Sequence, residues 1–282
     1  MSKYLAAKRP SAEELNAWIN FFHANGFLVI PNVLRPEQCQ VLRNDLEEVI
    51  KKTQGENYHP LKQKMMMKRM FEHSKNNLDL FALEPIVTFA ENLIGGANGD
   101  NYSIDDGTPN ANTVHVIHNN SFTVPPQTDG LAKNKWHQDD TPHLISLDGK
   151  PLTNIRLNVL AFTVNYYLTD VLSVENGPTQ VIPGSHLFGK LCDGDVSGYE
   201  DKIYSCLGAM GSAVCFNNQV WHRGSRNSSS STRYITQITY AKRLVGHKYA
   251  PFMNYEMPSH CYEGADERLK RLLGFIPHGA YG

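Results

Sequence analysis

What the chain lacks sets the first limits on it. No apolar run reaches the roughly 18 residues that a membrane-spanning helix needs. The start, MSKYLAAKRP, has no apolar core of the kind a secretory signal carries. The expectation from both is a cytoplasmic protein with no membrane partner. Cysteine is scarce. Cys39, Cys192, Cys206, Cys215 and Cys261 are scattered, odd in number and never in a Cys-x-x-Cys pair. That excludes a disulfide framework and a cysteine zinc site, and leaves buried free thiols. Charge of one sign is missing too. With 27 basic and 28 acidic residues the net charge is -1, whereas a nucleic-acid partner calls for a basic surface. No internal repeat is present, and no linker divides the chain.

What is present fits one globular domain over residues 1–282. Hydrophobic residues are 41% and charged residues 20%, which suits a packed core. The first part, to about residue 95, reads as helical. Ser11 with Glu14 forms the pattern of a capping box, and Leu15, Trp18, Ile19 and Phe22 then recur at helical spacing. Gly26 sits where a helix ends. Phe27–Ile30 is a short β-like run, and Pro36 opens a second helix with Cys39, Leu42, Leu46 and Ile50 on one face. From about residue 111 to about 245 the texture changes to short β-branched and aromatic runs between turn residues. Thr113–Ile117, Ile155–Leu168, Thr179–Ile182, Ala213–Phe216 and Tyr234–Tyr240 are the expected strands of a β-sandwich or barrel.

The stretch Trp136-His137-Gln138-Asp139 carries the chemistry. On an extended chain, residues two apart project to the same side, so an imidazole and a carboxylate would point together. Gln219-Val220-Trp221-His222 offers a third ligand. Two histidines and one carboxylate that leave open positions form the facial triad of non-haem Fe(II) oxygenases. His-x-Asp alone arises often by chance and by itself more often describes a surface pair. Arg233 lies eleven residues after His222, across the polar run Asn227–Thr232. If that run is a hairpin turn, Arg233 faces back toward the metal strand. A guanidinium fork there suits the far end of a dicarboxylate.

The ordered set HQD, ENGPTQVIPGSH, WH and an arginine eleven residues later closely resembles the phytanoyl-CoA dioxygenase family. So does the N-terminal order of helix, GFLVIPNV and second helix. The family consists of Fe(II)/2-oxoglutarate-dependent oxygenases on a double-stranded β-helix. The resemblance implies a mainly β fold with flanking helices around a jelly-roll, cupin-like core. It implies Fe(II), 2-oxoglutarate and O2 as cofactor and co-substrates. His137, Asp139 and His222 would hold the iron, and Arg233 the distal carboxylate of 2-oxoglutarate. Thr179 would be a second contact to that carboxylate, and Asn134 an amide reaching the co-substrate. The implied reaction oxidises a C–H bond of a small organic molecule, most simply by hydroxylation, while 2-oxoglutarate becomes succinate and CO2. Halogenating relatives lose the carboxylate ligand, and Asp139 is present. Trp221 is expected to pack beside the iron, His186 to make a structural hydrogen bond at a tight turn, and His115 and His143 to be core or loop histidines.

Alternation within 157–168 puts Thr163, Asn165 and Tyr167 on its smaller, more polar face, as candidate substrate contacts. The run LKQKMMMKRMFEHSK reads first as an amphipathic helix with methionine inward and lysine in water; the other reading is an adaptable pocket wall whose cations suit an anionic substrate. Thr141–Arg156, long and turn-rich, is a candidate lid. Two rivals keep the barrel: a zinc hydrolase or isomerase, and a non-catalytic jelly-roll module that retains the triad. Arg233 argues against the first, because that chemistry needs no dicarboxylate anchor. The intact set of four argues against the second.

Overall fold

The computed structural model describes residues 8–55, 59, 62–94, 114–139, 143–247 and 254–275. Helix α1 (Ala12–Asn25) opens on the expected capping box. The Ser11 hydroxyl accepts the Glu14 N–H at 3.2 Å, and the Glu14 carboxylate accepts the Ser11 N–H at 2.9 Å. Gly26 closes the helix at φ 79, a left-handed conformation. A Cβ there would lie 2.7 Å from His186 Nδ1, so space as well as φ demands glycine. Strand β1 (Phe27–Ile30) leads to helix α2 (Pro36–Gln54), whose Cys39, Leu42, Leu46 and Ile50 are all buried. No helix among the described residues is long and apolar enough to cross a membrane.

The methionine-rich run is not a helix. Met65–Lys68 forms strand β2, followed by a 3-10 turn, helix α3 (Lys75–Asp79) and, after a second 3-10 turn, helix α4 (Ile86–Leu93). Strand β2 pairs with the edge of β3 (His115–Val124), Met65 opposite Thr123 and Lys68 opposite Asn120. Pairing imposes a period of two. Met65 and Met67 pack against the main core, while Met66 and Lys68 point the other way.

The remaining strands are β4 (Ala161–Tyr167), β5 (Thr179–Val181), β6 (Tyr204–Cys206), β7 (Ala213–Asn217), β8 (His222–Gly224) and β9 (Arg233–Ala241). They build a six-stranded sheet, in the order β1-β7-β4-β9-β3-β2, and a three-stranded sheet, β6-β5-β8. Neighbouring strands run antiparallel throughout both sheets. This is the mainly β jelly roll with flanking helices that the sequence led us to expect. Of the expected strands, residues 155–160 stay outside β4, and Thr113 lies outside the described residues.

The faces of the large sheet divide the labour. Phe162, Val164, Tyr166, Ile238 and Tyr240 face the helices and form one core with Phe22, Leu42, Leu46 and Phe89. Phe122, Tyr167, Val214, Phe216 and Ile235 face the small sheet and meet Val181 and Cys206. The run Asn227–Thr232 is not a hairpin turn. Strand β8 pairs with β5, and β9 with β3 and β4, so the chain crosses from one sheet to the other. Buried Asn227 ties this crossing down, donating to the carbonyls of Val124 and Ser231.

Candidate metal centre and co-substrate pocket

His137 and His222 are backbone partners in an isolated antiparallel bridge. Each N–H donates to the other's carbonyl at 3.0 Å. The Asp139 N–H is held by the Asn218 carbonyl at 2.8 Å. The three side chains converge: one ligand atom from each lies within 4.8 Å of the others. The carboxylate Oδ1 of Asp139 is 3.9 Å from His222 Nε2, and the two imidazole rings are 4.3 Å apart.

The second nitrogen of each ring decides what the first can do. His137 Nδ1 lies 2.9 Å from the Lys135 carbonyl, and His222 Nδ1 lies 2.9 Å from the Val220 carbonyl. A carbonyl only accepts, so Nδ1 carries the proton in both rings. Each Nε2 lone pair is thereby left for a metal. Phe216, its ring 4.5 Å from that of His222, holds the imidazole from the side. The donor set of two neutral imidazoles and one carboxylate fits Fe(II) with positions to spare.

These three side chains open into a cavity of about 320 Å³. Arg233 stands in its wall, only 3% exposed, with Nε and Nη1 buried and unpartnered. Burial pushes its guanidinium down to about 10, still charged at neutral pH. A buried cation without a counter-charge is costly, and a carboxylate would complete this one. Thr179, Thr163 and Asn165 line the same cavity. The Thr163 hydroxyl is 2.9 Å from both Asn218 Oδ1 and the Thr239 hydroxyl. Tyr167 lies deeper: its hydroxyl donates to the Cys206 carbonyl at 2.8 Å and accepts the Thr179 N–H at 3.1 Å.

Asn134 is not among the residues lining the cavity. Its side chain closes the local turn, bonding Asp129 Oδ1 and the Gly130 N–H. Trp221 alternates with His222 and turns away from the metal face, into a cluster with Trp136, Phe188 and Tyr199. His186 Nε2 bonds the His23 carbonyl, and His115 Nε2 the Val245 carbonyl. Met66 and Lys68 of the methionine-rich run stand in the cavity wall, and sequence reasoning missed His118, Asn120, Phe216, Gln237 and Thr239 beside them. The alternating His118-Asn120-Phe122 was a usable signal, because amides inside a buried strand need a reason. Asn120, only 2% exposed, has a side-chain oxygen with no partner.

HygX from Streptomyces hygroscopicus has a similar fold. Its structure with nickel and 2-oxoglutarate matches at TM-score 0.63 and 14% identity, over 82% of this chain and 88% of HygX. Its forms with iron, and with nickel, 2-oxoglutarate and hygromycin B, each match at TM-score 0.60, with 14% and 15% identity, over the same shares of both chains. No curated protein matches the sequence. The family model for phytanoyl-CoA dioxygenase (PhyH) matches residues 22–235, a span that takes in the triad and Arg233. That is well over half of the chain, and the protein belongs to the phytanoyl-CoA dioxygenase family of iron- and 2-oxoglutarate-dependent oxygenases.

Proposed function

We propose that this protein hydroxylates, or otherwise oxidises, a C–H bond of a small organic molecule at an iron held by His137, Asp139 and His222. The observation that carries the proposal is Arg233, a buried and unpartnered guanidinium in the same cavity as the triad. In this reading Arg233 and Thr179 hold the distal carboxylate of 2-oxoglutarate. Iron with 2-oxoglutarate and dioxygen supplies an oxidant able to attack an unactivated C–H bond, with succinate and CO2 as co-products.

The protein's part is to bind, orient and exclude water. Phe122, Phe216 and Ile235 give the cavity an apolar wall, which limits side reactions with solvent. The two Nδ1–H···carbonyl bonds fix both ligand rings before the metal arrives. HygX binds hygromycin B, itself a small molecule, and the same scale of substrate is proposed here. A single domain and a cytoplasmic location belong to this reading.

The test is succinate formed from 2-oxoglutarate by the Fe(II)-loaded protein, with a metabolite mixture as substrate source. Release that needs iron and rises with a metabolite supports the proposal. A protein active with Zn(II) and indifferent to 2-oxoglutarate would be a hydrolase or isomerase instead.

A further inference from the structure

One row of side chains crosses the large sheet toward the small one. Asn120, Gln237 and Asn165 are register partners across β3, β9 and β4. Gln237 Nε2 donates to Asn165 Oδ1 at 3.0 Å, and Asn165 Nδ2 donates to Thr179 Oγ1 at 3.0 Å. We propose that Asn165 is a positioning residue: it fixes the direction of the Thr179 hydroxyl so that its proton points at the distal carboxylate of 2-oxoglutarate. This rests on the proposed role of Arg233 and Thr179 as the cradle of that carboxylate.

Donors and acceptors set the direction. An amide has an oxygen on one side and an NH2 on the other. Gln237 donates to the oxygen of Asn165, so the NH2 faces Thr179. A hydroxyl that accepts from that NH2 keeps its own proton unspent. The nearest other acceptor for that proton is the Tyr167 hydroxyl oxygen, which meets the Thr179 side chain as well as its N–H; a carboxylate, being charged, accepts more strongly and draws the proton into the cavity. The Tyr167 hydroxyl gives its proton to the Cys206 carbonyl and accepts the Thr179 N–H. The cross-strand partner of Thr179 in β8 is Gly224, which has no side chain. Asn165, Thr179 and Arg233 are 5%, 4% and 3% exposed, so bulk water does not compete. The unspent hydroxyl proton and the unpartnered guanidinium N–H groups line one cavity, and a carboxylate accepts from both kinds of donor. With the amide reversed, Thr179 would spend its proton on Asn165 and offer only lone pairs, which repel an anion.

Asn165→Asp tests the direction, because a carboxylate only accepts and would take the Thr179 proton. The measurement is 2-oxoglutarate binding by calorimetry to the Mn(II)-loaded full chain, without turnover. We expect Asn165→Asp to weaken binding about tenfold or more, while pyruvate, which has no distal carboxylate, binds both proteins alike. The new negative charge is controlled by repeating the change on Thr179→Val. If the hydroxyl is the mediator, Asn165→Asp causes little further loss there; an equally large loss on that background overturns the proposal. Gln237→Glu, at a half-buried site, forces the same reversal one step back and serves if Asn165→Asp does not fold. It too should weaken 2-oxoglutarate binding, and unchanged binding in either variant overturns the proposal. Arg233→Ala separates the two levels. If it leaves 2-oxoglutarate binding intact, the cradle itself is wrong; if it weakens binding and the amide variants do not, only the role of Asn165 falls.

Discussion

Arg233 bears a buried charge that no described group in the protein balances. Removing it should therefore act on the co-substrate before anything else. We predict that Arg233→Ala raises the apparent KM for 2-oxoglutarate sharply. Loss of one partner of a buried charged pair typically costs about 2–5 kcal/mol. Arg233→Lys should recover only part of this, since an ammonium lacks the fork. An unchanged KM would pass the role to another cation; Arg226 and Arg223 are already engaged, by Asp129 and Gln180. At the proposed iron site, three ligands would leave no spare. His137→Ala, Asp139→Ala and His222→Ala should each lower bound iron per protein and abolish turnover, checked by metal analysis after desalting. Full iron content in any of the three would remove that residue from the triad.

Among the elements, the segment 143–156 is tied down at two points. The Ser146 N–H bonds the Gly189 carbonyl, and the Leu152 N–H bonds the Leu187 carbonyl. Thr141, where the candidate lid begins, lies outside the described residues. None of the described residues 143–156 lines the metal cavity, yet Leu144, Ile145, Leu147 and Ile155 are exposed. Apolar side chains left in water, on a segment that follows Asp139 in the chain, suit a cover that closes over substrate. Shortening the segment between Leu144 and Thr153 should leave iron and 2-oxoglutarate binding nearly intact while succinate outruns product. A succinate-to-product ratio equal to that of the intact protein would place the cover elsewhere. The elements also show what was legible in advance. Ser11, Glu14 and Gly26 act on their own neighbours, so the bounds of α1 could be read from them. That His137, Asp139 and His222 cluster, with Arg233 in the same cavity, was legible because the motifs that carry them have a set residue type and spacing. Strand β2 was not, because Met-Met-Met-Lys has no period until β3 imposes one. The crossing from β8 to β9 was missed for a related reason: a polar run specifies a turn, whereas distant strands decide which sheet receives the next one. The amide row of β3, β9 and β4 exists only through register, which no single segment contains.

Acid should weaken the whole molecule. Burial, with help from Arg156 and His186, pushes the His23 imidazole down to about 4. Burial, with help from His115, pushes His247 to about 4 as well. Burial also lowers His115 and His186. Unfolded histidines titrate near 6.5, so between about 6.5 and 4 the unfolded chain binds more protons than the folded one. Stability is then full above about pH 6.5 and falls as pH drops toward 4. The melting temperature of chelator-treated protein should drop clearly between pH 7.5 and 5, and less so in His247→Phe. An equal midpoint at both pH values would contradict the assignment of these rings as buried and neutral. The lone guanidinium in the cavity has a consequence of the same global kind. A protein that folds around an uncompensated charge keeps part of its cohesion in reserve for the anion that will neutralise it. Whatever binds only the folded chain shifts the folding balance by mass action. 2-Oxoglutarate, bound as proposed, is then a structural counter-ion as well as a reactant, and scarcity of it shortens the life of the protein before it limits the chemistry.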